Sequence, residues 1–194
     1  MGDDSVRNMG ATIALCGILV LFGGTTFAIW GVSSESSMFG MSSKTEIKMG
    51  AQEAEFIAEI DGESESETDE YDGGGDVESF FNNLKIMLYV LVICGAALAY
   101  MGHSGEKMEF APKTIAVAAS LSVIILIYVF MSLPNAYEED TELFEALDED
   151  PAYFFSDDGF ETTFGLGMLL PLASLGICGY MIKDRGITLE DIKG

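Results

Sequence analysis

The sequence predicts an all-α membrane protein, a four-helix transmembrane bundle, from its composition and from the way that its charges are distributed. Hydrophobic residues make up 49% of the 194 residues, yet the formal net charge is −23. These facts are compatible because apolar and acidic residues occupy separate segments. Four segments lack Asp, Glu, Lys and Arg, and each has the roughly 20 residues that a helix needs to cross a bilayer. They are residues 8–34, 86–105, 114–137 and 162–182.

This charge pattern divides the chain into membrane helices and the segments that join them. The predicted transmembrane helices are residues 9–32, 85–102, 114–133 and 162–182. The predicted cytoplasmic segments are the N-terminus (1–8), a loop (103–113) and the tail (183–194). The predicted extracytoplasmic loops are residues 33–84 and 134–161, and they contain most of the 32 acidic residues.

The first apolar segment is interpreted as a retained helix rather than a signal peptide. The eight residues before it carry Asp3 and Asp4 against a single Arg7. Its length exceeds the roughly 7–15 apolar residues of a signal peptide, and no Ala-x-Ala cleavage pattern follows. We therefore expect an even number of membrane crossings.

Lys and Arg in the short loops predict the orientation, because cytoplasmic loops carry an excess of these residues. With both termini in the cytoplasm of a multi-pass cell-membrane protein, six of the nine basic residues lie inside and three outside. The inner ones are Arg7, Lys107, Lys113, Lys183, Arg185 and Lys193, and the outer ones are Lys44, Lys48 and Lys85.

Small residues within the predicted helices favour close helix packing. The pairs Gly24/Ala28 and Gly95/Ala99 each have the small-xxx-small spacing that lets helix backbones approach in lipid. Trp30 is predicted to lie in the aromatic belt at the outer end of the first helix. Pro171 is predicted to kink the fourth helix near its middle.

The first outer loop has three predicted parts. Residues 33–43, rich in Ser, are expected to be irregular. Residues 44–60 alternate between apolar and charged types and indicate a small β-hairpin that turns near Gly50. A short amphipathic helix over residues 51–60 is the alternative. Residues 61–76 are predicted to be a disordered acidic tract, because few apolar groups offset the entropy of ordering.

The second outer loop and the tail carry two weaker helix signals. Residues 141–147 begin with a potential N-cap, Thr141, and predict a short surface helix. Tyr153, Phe154, Phe155 and Phe160 are expected either to anchor the loop at the membrane interface or to cover the mouth of the bundle. In the tail, Thr188 and Asp191 have the spacing of a capping box.

Residues that carry chemistry are few in this chain. No ionisable residue lies in the central part of a predicted helix, although such residues usually mark pumps and proton relays. The cysteines (Cys16, Cys94 and Cys178) lie inside helices and are interpreted as packing residues rather than as a thiol cluster. His103 alone cannot make a histidine-rich zinc site and is expected to be solvated. We predict no catalytic, cofactor-binding or metal-binding residues.

The acidic loops restrict the possible partners. Neither loop has the spacing of an EF-hand, so only a loose association with divalent cations is expected. The negative field opposes binding of nucleic acid. The expected partners are the lipid bilayer and either further copies of this chain or other membrane proteins.

The arrangement of four membrane helices, a longer first outer loop with strands and a shorter second one resembles that of the claudin-type tetraspan proteins. The resemblance covers most of the chain as topology. The family's Trp…Gly-Leu-Trp motif and cysteine pair are missing, because the first outer loop contains no cysteine and Trp30 is the only tryptophan. No residue of this chain therefore takes a role from that family.

These features predict a non-enzymatic structural, scaffolding or accessory subunit of the membrane. The alternative is a channel or transporter component, in which acidic outer loops would attract cations.

Overall fold

The computed structural model describes residues 3–38, 41–60, 62–70, 76–139 and 160–193. They are mostly helical and contain one antiparallel sheet of five strands. The helices are α1 (Asp4–Phe22), α2 (Asp76–Ser104), α3 (Ala111–Glu139), α4 (Leu169–Asp184) and α5 (Leu189–Lys193). The strands are β1 (Trp30–Met38), β2 (Met41–Met49), β3 (Glu53–Ile60), β4 (Glu63–Glu70) and β5 (Phe160–Phe164).

Among the described residues, four helical segments are long and apolar enough to cross a membrane. They are Asp4–Phe22, Val77–Ser104, Met108–Ser132 and Leu166–Asp184. The prediction of four membrane helices is therefore confirmed for the length and composition of the helices. Four such helices are compatible with a multi-pass membrane protein.

The first helix ends ten residues earlier than residues 9–32 predict. It stops at Phe22, and Gly24 adopts a left-handed backbone with φ of 57° at the start of a 3-10 turn, Gly24–Phe27. The absence of charge after Phe22 was misleading, because an uncharged segment can also form a strand. Trp30 begins β1 and does not end a helix, and the pair Gly24/Ala28 lies outside α1.

The predicted hairpin that turns near Gly50 is confirmed as β2 and β3, so the helical alternative for residues 51–60 is wrong. Two other predictions for the first loop are wrong. Residues 33–38 and 41–43, expected to be irregular, belong to β1 and β2, and residues 63–70 of the acidic tract form β4. Hydrogen bonds to neighbouring strands stabilise both segments, and local composition does not report such bonds. Residues 39–40, 61 and 71–75 lie outside the described residues.

The other three membrane helices also differ from their predicted bounds. Helix α2 begins at Asp76, because Val77, Phe80, Phe81 and Leu84 repeat at helical spacing and are buried. Helix α3 continues through Pro134 to Glu139. Pro171 lies in the first turn of α4, where its missing N–H has no intrahelical acceptor to lose, so the predicted kink near mid-helix is wrong.

Two predictions for the second loop lie outside the described residues. They are the helix over residues 141–147 and the role of the aromatic residues 153–155.

The contacts divide the chain into two units. Unit 1 comprises residues 1–19, 84–130 and 169–194, and unit 2 comprises residues 20–83 and 131–168. Unit 1 contains most of the apolar helical length, and unit 2 contains the whole sheet.

Within unit 1, α1 and α2 approach closely along glycines. A Cβ atom added at Gly10 would lie 2.7 Å from the carbonyl oxygen of Gly95, and one added at Gly95 would lie 2.8 Å from the carbonyl oxygen of Gly10. A Cβ at Gly17 would lie 2.6 Å from a methyl group of Val92, and one at Gly102 would lie 2.8 Å from the carbonyl oxygen of Asp3. The contacts run in opposite directions along the two helices, which are therefore antiparallel. The prediction that Gly95 serves close packing is confirmed.

One end of unit 1 joins the N-terminal segment, the end of α2 and the tail. Asp3 caps α1, since its Oδ1 accepts hydrogen bonds from the backbone N–H groups of Ser5 and Val6, at 3.0 and 3.1 Å. Its other carboxylate oxygen accepts a hydrogen bond from the Arg185 guanidinium, and its backbone N–H donates to the carbonyl of Gly102 at 2.7 Å. The two ends of the described chain therefore lie at the same end of unit 1.

The stability contributed by Asp3 is expected to depend on pH. The hydrogen bond from Arg185 and those from the N–H groups of Val6 and Ser5 hold the pKa of the Asp3 carboxyl below its ordinary value of 3.8. A carboxyl with a lowered folded-state pKa stabilises the fold above its ordinary pKa and loses this contribution as the pH falls through the folded value. We expect Asp3→Asn, which keeps a capping side chain, to remove this acid dependence and to cost at most about 1 kcal/mol at neutral pH, because the pair is partly exposed.

Thermal unfolding in detergent between neutral pH and pH values below 3.8 would measure this dependence. Asp4→Asn serves as the control, because it also removes one negative charge but leaves the cap formed by Asp3 intact. A pH profile that is identical in the wild type and in Asp3→Asn would contradict the assignment.

Of the capping box predicted in the tail, the hydrogen bond from the Thr188 N–H to the Asp191 side chain is confirmed. The carboxylate of Asp191 accepts hydrogen bonds from the backbone N–H and the hydroxyl of Thr188, at 2.8 and 2.7 Å. These bonds lower the pKa of Asp191, and α5 begins directly after Thr188.

Candidate interaction surface

The sheet combines strands from both predicted outer loops. The strand order is β4-β3-β2-β1-β5, and all neighbours are antiparallel. Strand β5 begins in the predicted second loop and pairs with β1, with Phe164 opposite Trp30 and Phe160 opposite Ser34. Its residues 162–164 belong to the segment predicted as the fourth membrane helix, which begins only at Leu169, so the predicted start of that helix at residue 162 is wrong. The segment that follows α1 and the segment that precedes α4 therefore meet in one sheet.

Backbone hydrogen bonds tie these two segments together next to Trp30. The N–H of Ile29 donates to the carbonyl of Met49 at 2.7 Å, and the N–H of Gly165 donates to the carbonyl of Ile29 at 3.1 Å. The N–H of Gly167 donates to the carbonyl of Ala28 at 2.8 Å. A side chain at Gly165 or Gly167 would collide with the backbone of residues 27 and 28, so glycine is required for this approach.

The turn between β2 and β3 also contacts the end of α1. The N–H of Gly50 donates to the carbonyl of Glu53 at 2.9 Å and closes the turn. The side-chain amide of Gln52 donates to the carbonyl of Leu21 at 2.7 Å. That carbonyl belongs to the last turn of α1, where carbonyls lack an intrahelical donor. The hairpin thereby supplies a C-terminal cap to the first helix.

The register gives the sheet one apolar and one charged face. Side chains alternate across a strand, so residues that oppose one another in the register share a face. One face, called here the apolar face, carries Trp30, Ile47, Met49, Ala54, Phe56, Ala58 and Ile60. The opposite face, called here the charged face, carries Lys44, Glu46, Lys48, Glu53, Glu55 and Glu59.

Burial decreases along the apolar face from one end of the hairpin to the other. Met49 and Ala54, next to the turn, are buried, and so are Trp30 and Ile47. Phe56 is half-buried, Ala58 is exposed, and the side chain of Ile60 is 59% exposed. Within the described residues, the far part of this apolar face is therefore open to a partner.

Ion pairs form on the charged face around Glu46. Glu46 lies between Lys44 and Lys48, with nitrogen–oxygen distances of 3.9 and 3.8 Å. These pairs are long and partly exposed, and such pairs contribute little to stability. Both lysines of the sheet are thus directed away from the apolar face.

Strand β4 places its acids on the apolar side of its own edge. Glu63, Glu65, Glu67 and Asp69 oppose Ile60, Ala58, Phe56 and Ala54 in the register, whereas Ser64, Ser66 and Thr68 belong to the charged face. Among the described strands, β4 pairs with β3 alone and forms one edge of the sheet. Acidic side chains on an edge strand discourage pairing with apolar strands of other molecules.

The residues that the sequence singled out for chemistry lie on the helices. Cys16, Cys94 and Cys178 are buried as free thiols, and His103 is exposed in the last turn of α2. In the described part of the chain, no group of three or more His, Cys, Asp or Glu side chains could hold a metal ion. The buried hydroxyls of Ser122 and Ser174 donate to carbonyls one turn back in their own helices, Ala118 at 2.9 Å and Leu170 at 3.0 Å.

Comparison with known proteins does not assign this chain to a family, since no family model and no curated protein matches it.

Sequence reasoning missed the sheet as an interaction surface. The alternation of Glu with Ser over residues 63–67 was the signal that could have revealed β4, because alternation of two residue types over several positions is typical of a strand. The pairing of β5 with β1 left no such signal, because it joins residues more than a hundred positions apart in the sequence.

Proposed function

We propose that this chain is a non-enzymatic multi-pass membrane protein that serves as a structural, scaffolding or accessory subunit. Its helices would form a bundle in the cell membrane, with both termini in the cytoplasm. The strands and the acidic loops would face the opposite side and bind the partner. The observation that carries the proposal is the sheet built from both loops, whose apolar face is open at its far end.

The geometry of the two units supports this topology. Pairing of β5 with β1 requires the two loops to meet, as they would if they lay on one side of the membrane. The contacts of Asp3 with Gly102 and Arg185 bring together the N-terminal segment, the C-terminal end of α2 and the tail, as expected if all three lay on the other side.

Crosslinking in native membranes tests the proposed function. The full chain, tagged at its C-terminus, would be crosslinked in membranes of the source organism and purified in mild detergent. We expect a defined partner, either a second copy or another membrane protein, at a fixed stoichiometry. A chain that purifies as a monomer, with no crosslinked species at any crosslinker concentration, would contradict the proposal.

A channel or transporter component is the second candidate, favoured by the exposed acids of β4, which would concentrate cations near the membrane. The burial of Ser122 and Ser174 opposes it, because neither hydroxyl is exposed to a water-filled path through the described helices. Purified protein in liposomes is expected to give no cation flux above that of empty liposomes. Flux that scales with the amount of protein would favour the channel.

A further inference from the structure

A groove of about 650 Å³ crosses strands β2, β3 and β4 on the apolar face. Two rows of side chains in the register form it. One row consists of Ile47, Phe56 and Glu67, and the neighbouring row consists of Thr45, Ala58 and Glu65. Each row thus begins at β2, crosses an apolar residue of β3 and ends at a carboxylate on the edge strand.

The two carboxylates have no cationic partner within the sheet. Glu65 and Glu67 are exposed, and neither forms a salt bridge with any described Lys or Arg. The lysines of the sheet, Lys44 and Lys48, belong to the opposite face because they oppose Glu59 and Glu55 in the register. The groove therefore offers two negative charges at the end of an apolar floor.

From the geometry of the two rows we propose that the groove binds an extended segment of a partner protein that carries two Lys or Arg residues separated by one residue. This inference rests on the proposed function and names the chemistry of the partner. Successive side chains on one face of an extended segment are about 7 Å apart, which equals the spacing between Glu65 and Glu67 along β4.

The apolar stem and the charged group of a basic side chain match the apolar residue and the carboxylate of each row. Lys and Arg bury their methylene stems against apolar surface and keep the charged group at a polar site. Across this groove, one stem would lie on Phe56 and reach Glu67, and the other would lie on Ala58 and reach Glu65. A bare metal cation would leave the apolar floor unused.

Charge argues against a second copy of this chain as the occupant. The described part of the sheet has only two lysines, and the acids of β2, β3 and β4 outnumber them. The whole chain has a net charge of −23, so two copies of this surface would repel each other. A basic segment of a different protein is complementary.

The test uses the full chain in nanodiscs of zwitterionic lipid and a short fluorescein-labelled peptide with a Lys-Ser-Lys core. Fluorescence anisotropy would compare this peptide with a Lys-Lys-Ser peptide of the same composition. We expect Glu65→Gln with Glu67→Gln to weaken binding of the Lys-Ser-Lys peptide about tenfold. Glu55→Gln with Glu59→Gln makes the same change in charge on the opposite face, and it is expected to weaken binding less than about twofold.

Three results would overturn the inference. Equal weakening by the two double variants would show that the general negative field attracts the peptide. Equal affinity for the two peptides would show that the groove does not distinguish the spacing of the two lysines. Finally, the wild type could bind calcium ions from calcium chloride and fail to bind the peptide. If Glu65→Gln with Glu67→Gln then abolished calcium binding, the groove would be assigned to a metal cation.

Crosslinking of the same variants in native membranes separates this inference from the proposed function. If the wild type and Glu65→Gln with Glu67→Gln capture the same partner equally well, the proposal that the groove binds this partner is refuted. The proposed role as a subunit would not be affected. The absence of any partner for the wild type would refute the subunit role itself.

Discussion

Phe81→Ala is expected to destabilise unit 2 by about 3–5 kcal/mol, because it removes a large side chain that has no exposed surface. Phe81 lies near the start of α2, and its ring contacts that of Phe80 edge-on, with centroids 5.0 Å apart. The truncation leaves a cavity and also removes this aromatic pair, which itself contributes about 0.5–1.5 kcal/mol in other proteins. Few single changes in this unit are expected to cost more.

The only tryptophan of the chain provides the measurement for this variant. Trp30 begins β1 within unit 2 and is 5% exposed, so its fluorescence reports unfolding of that unit. Denaturant titration in detergent should show an earlier transition for Phe81→Ala than for the wild type. Phe22→Ala, in the same unit at a residue that is 62% exposed, is the matched control and should shift the midpoint much less than Phe81→Ala. Coincident transitions for the two variants would mean that Phe81 is not part of a packed core.

Gly95→Ala and Gly176→Ala are expected to change stability in opposite directions, although both glycines lie in membrane helices. A Cβ at Gly95 would lie 2.9 Å from the Cα of Ala14 and closer still to its backbone nitrogen. The backbone of α1 cannot move aside as a flexible side chain can, so we expect a loss of about 1–3 kcal/mol. At Gly176 an added Cβ meets no described atom within 4 Å, and alanine favours a helix over glycine by up to about 1 kcal/mol.

Thermal unfolding of unit 1 in one detergent would compare the two variants. The readout is the reaction of buried Cys94 and Cys178 with a thiol reagent, since both cysteines lie in this unit and become accessible on unfolding. The midpoint should fall for Gly95→Ala and stay constant or rise for Gly176→Ala. A rise in both would refute the close approach of α1 and α2.

The sequence by itself determined the number of membrane helices and the hairpin. Long segments without charge are stable in lipid only as structures that satisfy their own backbone groups, so the four apolar segments could be identified without tertiary information. The hairpin was visible because apolar and charged residues alternate on both sides of Gly50. The capping box of Thr188 and Asp191 was visible for a similar reason, since it is a contact over three residues.

Only the tertiary structure decided the extent of the sheet and the end of the first helix. Residues 25–32 are uncharged and fit a continuation of the helix, yet the chain forms a 3-10 turn up to Phe27, and hydrogen bonds to β2 and β5 place residues 30–32 in a strand. The acidic residues of β4 form no core of their own, and their backbone is ordered by the ladder to β3. The groove combines a feature that the sequence predicted with one that it did not. Its floor comes from the hairpin, whereas its carboxylates come from a strand that composition alone predicted to be disordered.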